Sequence, residues 1–271
     1  MKILILSRIP ELYSTRRLVE ECLRANITVA VENPDCPISS WTAGASCLIP
    51  RLGNYRYEAG LHSLQSFLNL HPTVHCLNEP TAFHQARHKR LCLQTLSELP
   101  QPSLFSDLRN LKFPFVVKDC LSSQGEGVFL IRNPAEHSAC LNKLQNREVL
   151  YQEFIAESAG RDVRAFVVGD RLVAAIERRS LDPSVEFRSN LALGGRAHAV
   201  ELSSEEQTLC LAAVHGLSLD YAGVDFVRSR RGILLLEVNP CPGFEGVEKC
   251  TGANVAQEVI RYAESFCSSH S

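Results

Sequence analysis

Residues 232–246 read GILLLEVNPCPGFEG, an apolar run that ends in a glutamate and an asparagine. Five of its first seven residues are the aliphatic types that a buried β-strand favours. A second apolar run, AGVDFVRS (residues 222–229), lies just upstream and contains one carboxylate, Asp225. The connection through residues 230–232 has the length and the final glycine of a hairpin loop. The two runs are therefore predicted to form an antiparallel β-hairpin.

This hairpin would set its acidic residues directly opposite each other. Closure through the three-residue loop predicts the cross-strand pairs Val227–Leu235, Asp225–Glu237 and Gly223–Asn239. Because side chains alternate between the two faces of a strand, Glu237 and Asn239 then share a face with Asp225. The opposite face, which we expect to pack a core, consists of Leu234, Leu236 and Val238.

The shared face of Asp225, Glu237 and Asn239 is a candidate metal site. Facing carboxylates repel each other, and apolar neighbours increase the cost of each charge. A divalent cation relieves this repulsion, and oxygen ligands without cysteine or histidine in either strand favour Mg²⁺ or Mn²⁺ over zinc. The alternative is that this face is exposed and its carboxylates are solvated, since a one-residue slip in register exchanges the two faces.

The composition is that of an ordinary globular protein. The 271 residues are 45% apolar with a formal charge of −2, which argues against direct nucleic-acid binding and against attraction to an anionic membrane. The 11 cysteines include no Cys-x-x-Cys, which favours reduced thiols over disulfides or zinc. No apolar run approaches the ~20 residues of a membrane span or resembles a signal peptide. We therefore expect a cytoplasmic protein.

The order of the predicted elements indicates an α/β chain. The first 31 residues contain a strand, a helix and a strand, which suggests a small parallel sheet. No Gly-x-Gly-x-x-Gly follows the first strand, so a dinucleotide site is not expected there. A helix is predicted over residues 81–99, and Ser203–Glu206 has the spacing of a capping box.

A lysine and a glycine-containing loop lie between two predicted strands. Lys118 falls at the end of FPFVVKD (residues 113–119), and CLSSQGEG (residues 120–127) leads to a returning strand. A lysine on an apolar strand commonly extends its ammonium group into solvent, but it equally suits the phosphates of ATP. Strand, glycine loop and strand is the order of a flap over phosphates, although a lone Gly-x-Gly is weak evidence.

Other polar positions fit a nucleotide by residue type. The end of YQEFI offers at Glu153 and Phe154 an apolar wall with backbone hydrogen-bonding groups for adenine. Asp162 could accept hydrogen bonds from ribose, and Arg188, two residues before Asn190, suits phosphate or carboxylate. On pattern alone these are equally ordinary strand ends and surface ion pairs, as are the nearby arginines Arg164 and Arg178.

Together these motifs resemble the ATP-grasp superfamily, and more narrowly the RimK-type glutamate ligases. The resemblance runs nearly end to end, and its most specific parts are DVRAFVVGD (residues 162–170), AAIERR (residues 174–179) and the closing EVN-x-x-PG-x-EG-x-E (residues 237–248). It implies an α/β fold, with α+β ATP-grasp lobes. The implied segments are an N-terminal pre-ATP-grasp parallel sheet (1–80), a linker helix with the central lid subdomain (81–155), and a C-terminal ATP-grasp subdomain that holds the metal (156–271).

The resemblance also implies roles for individual residues. The implied ATP-binding residues are Lys89, Lys118, Ser122, Ser123, Gln124, Gly125, Glu153, Phe154, Asp162, Arg188, Ser189 and Asn190. Of these, Lys118, Arg188 and Asn190 are implied at the reacting end of the nucleotide. Asp225, Glu237 and Asn239 match the family's ligands for two Mg²⁺ or Mn²⁺ ions, in agreement with the hairpin argument.

The sequence departs from the RimK pattern at three places. The segment 33–50 is shorter than in RimK-type members, and Ala192 and Leu193 stand where a histidine or a basic residue is common. Leu121 and Ser122 replace an acidic residue and a glycine in the loop. The first two departures leave the acceptor substrate open, and none affects the metal ligands.

The implied activity is an ATP-dependent ligation of a carboxylate to an amine through an acyl phosphate. The expected partners are ATP, an amino acid, with glutamate favoured, and a protein or peptide C-terminus; family members are often tetrameric. One alternative is a ligase that acts on a small biosynthetic acid or peptide. Another is a nucleotide-binding regulator without catalysis, which the paired carboxylates disfavour because binding alone does not require both.

Overall fold

The computed structural model describes residues 1–109, 111–123 and 125–268. The β-strands of this part of the chain are β1 (Lys2–Leu6), β2 (Thr28–Glu32), β3 (Cys47–Pro50), β4 (His75–Cys76), β5 (Leu104–Phe105), β6 (Phe115–Asp119), β7 (Val128–Ile131), β8 (Val149–Glu153), β9 (Arg161–Val168), β10 (Arg171–Arg179), β11 (Arg196–Ala199), β12 (Tyr221–Ser229) and β13 (Gly232–Asn239). Its α-helices are α1 (Tyr13–Arg24), α2 (Tyr57–Leu70), α3 (Pro80–Arg87), α4 (Lys89–Thr95), α5 (Pro134–Lys143), α6 (Ser204–Gly216), α7 (Glu245–Thr251) and α8 (Val255–Ser268). None of these described helices has the length and apolar character needed to cross a membrane.

The N-terminal sheet is parallel, in the order β2-β1-β3-β4, as the opening strand–helix–strand pattern predicts. Its central strand β1 is aliphatic because both of its faces are covered. Ile3 and Ile5 pack in a cluster with residues of α1 and α8, whereas Leu4 and Leu6 pack in a cluster with residues of α2 and α3.

The second sheet is antiparallel, in the order β5-β8-β6-β7. The predicted hairpin of β6 and β7 is confirmed, and Lys118 pairs with Val128 next to the glycine loop. Phe115 and Val117 pack in the cluster that includes residues of α5. By alternation, Val116 and Lys118 face the other side of the sheet, where a cavity lies.

The third sheet is also antiparallel, in the order β11-β10-β9-β12-β13. One face packs on α6, whose predicted capping box is confirmed: Glu206 N donates to Ser203 Oγ at 3.2 Å, and Ser203 N donates to Glu206 Oε2 at 2.9 Å. Each sheet falls inside one of the three predicted segments; the boundaries at residues 80 and 155 stay a prediction.

The β12–β13 hairpin has the predicted register only at the end away from its turn. The confirmed pairs are Asp225–Glu237 and Gly223–Asn239. Nearer the turn, Val227 pairs with Leu234, and the predicted partner Leu235 is wrong. The register shifts because Leu236 is an extra residue on β13, which bulges the strand and shortens the turn to Arg230 and Arg231.

The bulge also changes which leucines enter the main core. Leu235 and Val238 pack there against α6, although Leu235 was not expected on that face. Leu234 and Leu236, which were expected on it, lie instead beside Val227 in a small cluster on the cavity side. The predicted core face is therefore correct for Val238 and wrong for the two leucines.

The single helix predicted over residues 81–99 is also wrong, because α3 and α4 are separated at His88. His88 has an extended backbone and caps α4, with its Nδ1 accepting a hydrogen bond from Leu91 N at 3.4 Å. Its Nε2 lies 3.1 Å from Glu148 Oε2. The break makes Lys89 the first residue of α4, and its backbone N donates to Cys120 O at 2.9 Å beside the glycine loop.

A buried asparagine joins the N-terminal sheet to the third sheet. Asn78 Nδ2 donates to Tyr221 O and Pro240 O, both at 2.9 Å. Its Oδ1 accepts from Asp220 N at 2.6 Å and from Tyr221 N at 3.1 Å. The bond to Pro240 O holds the turn next to Asn239, and the other three hold residues 220–221 at the start of β12.

Candidate active site

Two adjoining cavities lie around the third sheet. The smaller, of about 130 Å³, lies between the second and third sheets. The larger, of about 640 Å³, lies between the third sheet and loops of the N-terminal segment. Both cavities are lined by Lys89, Ser123, Arg178, Asn190 and Glu237. A ligand in one cavity would therefore meet a ligand in the other at these residues.

The structure brings the predicted site residues together around the two cavities. Those that line the smaller cavity are Lys89, Lys118, Ser123, Gly125, Glu153, Phe154, Asp162, Arg188, Ser189, Asn190, Asp225 and Glu237. Ser122 and Asn239 line the larger cavity. Gln124 lies outside the described residues. Residues from six separate stretches of sequence thus converge on one place.

Two buried lysines line the smaller cavity, and one of them, Lys89, also lines the larger one. Lys118 is 8% exposed, and burial, with a smaller contribution from Lys89, lowers its pKa to about 8 against the opposing effect of Glu237. Lys89 is 5% exposed, and its Nζ donates to Ser122 O. Within residues 1–109, 111–123 and 125–268, neither ammonium group has a carboxylate within 4 Å. Buried cations without partners favour an anionic ligand.

The glycine loop rests on the segment that carries Arg188 and Asn190. Gly125 has φ +80°, and a Cβ added there would lie 2.8 Å from Asn190 Oδ1. Arg188 Nη1 donates to Gly125 O at 2.6 Å. Glu186 holds the same guanidinium in a bidentate pair, with Nε–Oε1 at 2.8 Å and Nη2–Oε2 at 2.5 Å. The loop is therefore closed onto this segment, and Arg188 is fixed in orientation.

The wall expected to hold adenine is apolar at Phe154 and polar along the backbone. The Phe154 ring packs edge-on against Phe187, with ring centroids 6.0 Å apart. The Glu153 carboxylate accepts a hydrogen bond from Ser103 N at 3.1 Å and pairs with Arg231 Nη2 at 2.8 Å. The Glu153 side chain is therefore engaged, and Glu153 N donates to Ser103 O at 2.9 Å, so only the remaining backbone groups of residues 153–154 are left to contact a base.

Two arginines form ion pairs with Asp225, one of the two carboxylates predicted to face each other. Arg164 donates from Nε to Asp225 Oδ1 and from Nη2 to Oδ2, both at 2.6 Å, and its Nη2 lies 3.8 Å from Glu237 Oε1. Arg178 bonds Asp225 Oδ2 at 2.8 Å and both oxygens of Asp162 at 2.7 and 2.5 Å. Burial would raise the pKa of Asp225, but these two arginines outweigh it and lower the pKa to about 2. Asp225 is thus ionised and already paired.

The three predicted ligands still fit a divalent ion by their donor chemistry. In the described part of the chain Glu237 accepts no hydrogen bond, and its side chain is 32% exposed beside the cavity. Asn239 Oδ1 accepts one bond, from Cys241 N at 2.9 Å, and keeps a second lone pair. Asp225 Oδ1 accepts a single bond. Each residue therefore has an oxygen with acceptor capacity left for Mg²⁺ or Mn²⁺.

Several residues of the site were not expected from the sequence. Arg178 is 3% exposed and lines both cavities, where an ordinary surface ion pair was the default. Gln152 is 1% exposed on β8, and its Nε2 has no partner among the described residues. Its alternation with Leu150 in VLYQEFI, a polar residue on an inward-facing position, was the signal available. Arg51, after β3, also lines the larger cavity.

Comparisons with known proteins show which family the chain resembles. A model of the RimK-like ATP-grasp domain matches residues 95–263. A probable alpha-L-glutamate ligase from Haemophilus ducreyi is 36% identical over 97% of this chain and 98% of its own. A ribosomal protein bS6–L-glutamate ligase from Escherichia fergusonii is 38% identical over 97% of this chain and 96% of its own.

Solved structures share the fold at lower sequence identity. The D-cycloserine synthetase DcsG superposes with a TM-score of 0.78 at 16% identity, covering 98% of this chain and 100% of that one. The ATP-grasp ligase PsnB, in complex with a variant of its minimal precursor, Mg and ADP, gives a TM-score of 0.74 at 16% identity over 98% of each chain. The predicted fold class is confirmed.

Proposed function

The chain belongs to the family of RimK-like ATP-grasp proteins, and from this premise we propose that it joins glutamate to the carboxylate of a protein or peptide tail. Membership makes it an ATP-dependent, ADP-forming ligase. The glutamate ligases among its relatives, one of them named for ribosomal protein bS6, support the choice of amino acid and acceptor. The observation that carries the proposal is the junction of the two cavities, where Lys89, Asn190 and Glu237 face both.

The reaction takes place where nucleotide and acceptor meet. An oxygen of the acceptor carboxylate attacks the γ-phosphorus of ATP, ADP leaves, and an acyl phosphate forms. The amine of glutamate then attacks the acyl carbon and loses a proton, and phosphate leaves with the oxygen that the carboxylate contributed. The protein needs no nucleophile of its own, so its residues act by position and charge.

Cationic side chains bring together the acceptor carboxylate and the phosphates of ATP, two anions that repel each other in water. Lys118 and Lys89 hold the phosphates, because they are the buried lysines of the smaller cavity and have no carboxylate partner in the described chain. Arg188 and Asn190 lie under the glycine loop and orient the reacting end. Closure of residues 122–127 over the phosphates excludes water, which protects the acyl phosphate from hydrolysis.

Most of the remaining assignments follow the lining of the smaller cavity, whereas Ser122 and Asn239 line the larger one and Gln124 lies outside the described residues. The backbone of Glu153 and Phe154 contacts adenine, and Asp162 contacts ribose from its pair with Arg178. Ser122, Ser123, Gln124, Gly125 and Ser189 contribute to the nucleotide site. Asp225, Glu237 and Asn239 would hold two Mg²⁺ or Mn²⁺ ions, which when bound neutralise phosphate charge.

A small acid or a free peptide stays open as the acceptor, because Leu191 lines the larger cavity and the nearby Leu193 of the sequence, where RimK-type members often carry a basic residue or a histidine, is exposed. A non-catalytic regulator is disfavoured, since the partly exposed Glu237 carboxylate accepts no hydrogen bond in the described chain and has only a 3.8 Å ion pair, with Arg164. The cytoplasmic location, the absence of nucleic-acid contact and the tetramer stay predictions.

The test is ADP release from ATP and Mg²⁺ with panels of amino acids and acceptors, followed by mass spectrometry of the acceptor. We expect ADP release to require both an acid and an amine, with glutamate preferred. Glu237→Gln should abolish it, whereas Glu20→Gln, on an exposed face of α1, should retain it. The ligase assignment fails if no acid–amine pair releases ADP, and the metal assignment fails if Glu237→Gln turns over normally.

A further inference from the structure

The larger cavity is lined by more positive charge than the described residues neutralise. Its cationic residues are Arg51, Arg87, Lys89, Arg164, Arg178 and Lys249, and its acidic residues are Glu237 and Glu245. Arg164 and Arg178 form ion pairs with Asp225, and Lys249 pairs with Glu245 at 2.6 Å. Lys89 lies at the junction with the nucleotide cavity. Two arginines are left over.

Arg51 is the more deeply buried of the two, with 9% of its surface exposed. Its Nη2 donates to Pro242 O at 2.9 Å, and its Nη1 lies 3.5 Å from the Tyr221 hydroxyl. Its guanidinium lies 5.6 Å from the centre of the Phe244 ring. Across the described residues, no carboxylate comes within 4 Å of it. A guanidinium has five N–H donors and cannot lose its charge, so an anion from outside the described residues would balance it.

Arg87, in the last turn of α3, is the second arginine of the cavity whose charge is not paired within the described residues. Its Nε is buried without a hydrogen-bond partner in the described chain, and its Nη2 donates to Asn54 Oδ1. The guanidinium lies 4.7 Å from the centre of the Tyr57 ring. No ion pair with a carboxylate is formed within the described ranges. An aromatic ring and an amide orient the group without neutralising it.

We propose that Arg51 and Arg87 form a carboxylate-binding subsite of the larger cavity, which holds a non-reacting carboxylate of a substrate. This inference rests on the proposed ligase function, because the reacting carboxylate is placed at the junction with Lys89 and Glu237. Planar guanidinium groups match the geometry of a carboxylate. The bound group comes either from the incoming glutamate or from an acidic residue of the acceptor tail, and the experiment below separates the two.

Arg51→Met and Arg87→Met remove the charge and keep most of the side-chain length. We expect each to raise the KM for one anionic substrate by roughly tenfold or more, the loss typical of a hydrogen bond to a charged group. The KM for ATP should stay within about twofold, well below that effect. Arg171→Met, at an exposed turn away from both cavities, is the matched control and should change neither constant.

Varying glutamate at fixed acceptor, and then acceptor at fixed glutamate, shows which substrate the subsite holds. Glutamine and isoglutamine each lack one of the two carboxylates of glutamate, and an acceptor with amidated acidic side chains lacks those of the tail. The form that lacks the bound carboxylate should be a poor substrate of the wild type and should lose nothing further in the variants. A rise in KM that is equal for the charged substrate and for every amidated form would mark the arginines as structural and overturn the inference. Unchanged KM values for both substrates would overturn it as well.

A binding measurement keeps this inference separate from the ligase proposal. Titration calorimetry of the protein with a non-hydrolysable ATP analogue and Mg²⁺ needs no turnover, with L-glutamate and a tetraglutamate peptide as probes. We expect at least one probe to bind the wild type and to bind Arg51→Met and Arg87→Met at least tenfold more weakly. If neither probe binds the wild type, or if the variants bind equally well, the subsite does not exist, whatever the assay of ADP release shows.

Discussion

Asp225→Asn should destabilise the fold as well as abolish ligation. Asp225 is 2% exposed and accepts three charge-assisted hydrogen bonds, at 2.6, 2.6 and 2.8 Å, from Arg164 and Arg178. An amide keeps one oxygen and turns an NH₂ group toward guanidinium donors, so Arg164 and Arg178 lose the charge that balances them. Breaking a buried ion pair costs about 3–5 kcal/mol, and we expect a loss of that size in the free energy of unfolding. The melting temperature should fall by roughly 10 °C.

Urea denaturation followed by circular dichroism measures this loss directly. Asp107→Asn, in an exposed pair with Arg109, is the matched control and should leave the midpoint unchanged. Glu237→Gln should also fold normally, since its side chain is partly exposed and accepts no hydrogen bond in the described chain, yet it should lose turnover. A loss below about 1 kcal/mol for Asp225→Asn would refute the reasoning, because the arginines would then not depend on Asp225.

The ion pairs of Asp225 also determine how its contribution to the stability of the fold changes with pH. Its pKa of about 2 in the folded protein lies below the ordinary value of 3.8. Its stabilising contribution is therefore complete above the ordinary pKa and is lost as the pH falls through about 2. In acid titrations Asp225→Asn should accordingly approach the stability of the wild type.

Three further predictions concern other parts of the site. Because the pKa of Lys118 is lowered to about 8, the kcat/KM for ATP should fall as the pH rises through about 8, and Lys118→Met should remove that dependence; an identical pH profile in the variant would contradict the assignment. Gly125→Ala should raise the KM for ATP, because its Cβ would meet Asn190 Oδ1 at 2.8 Å, whereas Gly44→Ala, also at positive φ but with open space around it, should leave the KM unchanged. Asn78→Ala should lower the free energy of unfolding in urea by about 2–4 kcal/mol, since its side chain makes four hydrogen bonds in a buried position; a loss under 1 kcal/mol would mean that water replaces them.

The alternation of residues along the strands was enough to predict which carboxylates of the candidate site face each other. Alternation along two apolar strands brought Asp225 opposite Glu237, and the glycine loop after Lys118 was recognisable from strand, loop and strand. The register nearer the turn was not accessible, because the one-residue bulge at Leu236 leaves the apolar pattern unchanged and only a partner strand reveals it. The break at His88 depends on its cap and on contact with the distant Glu148.

Ion pairs between residues far apart in the chain could not be predicted from the sequence. Arg164 and Arg178 lie on β9 and β10, and their partner Asp225 comes from β12, so their role appears only once the third sheet is assembled. Arg51 is separated from its contacts Tyr221 and Pro242 by 170 and 191 residues. An arginine in a linear sequence carries no sign of whether a carboxylate will reach it.

The transfer of oxygen from the acceptor to phosphate tests the central claim most directly. The acceptor is prepared with oxygen-18 in its carboxylate and incubated with ATP, Mg²⁺, glutamate and the protein. Because the carboxylate oxygen attacks the γ-phosphorus and leaves with phosphate, the account predicts one labelled oxygen in each inorganic phosphate formed, in equal amount to the amide. Unlabelled phosphate, or ADP released without amide, would contradict it.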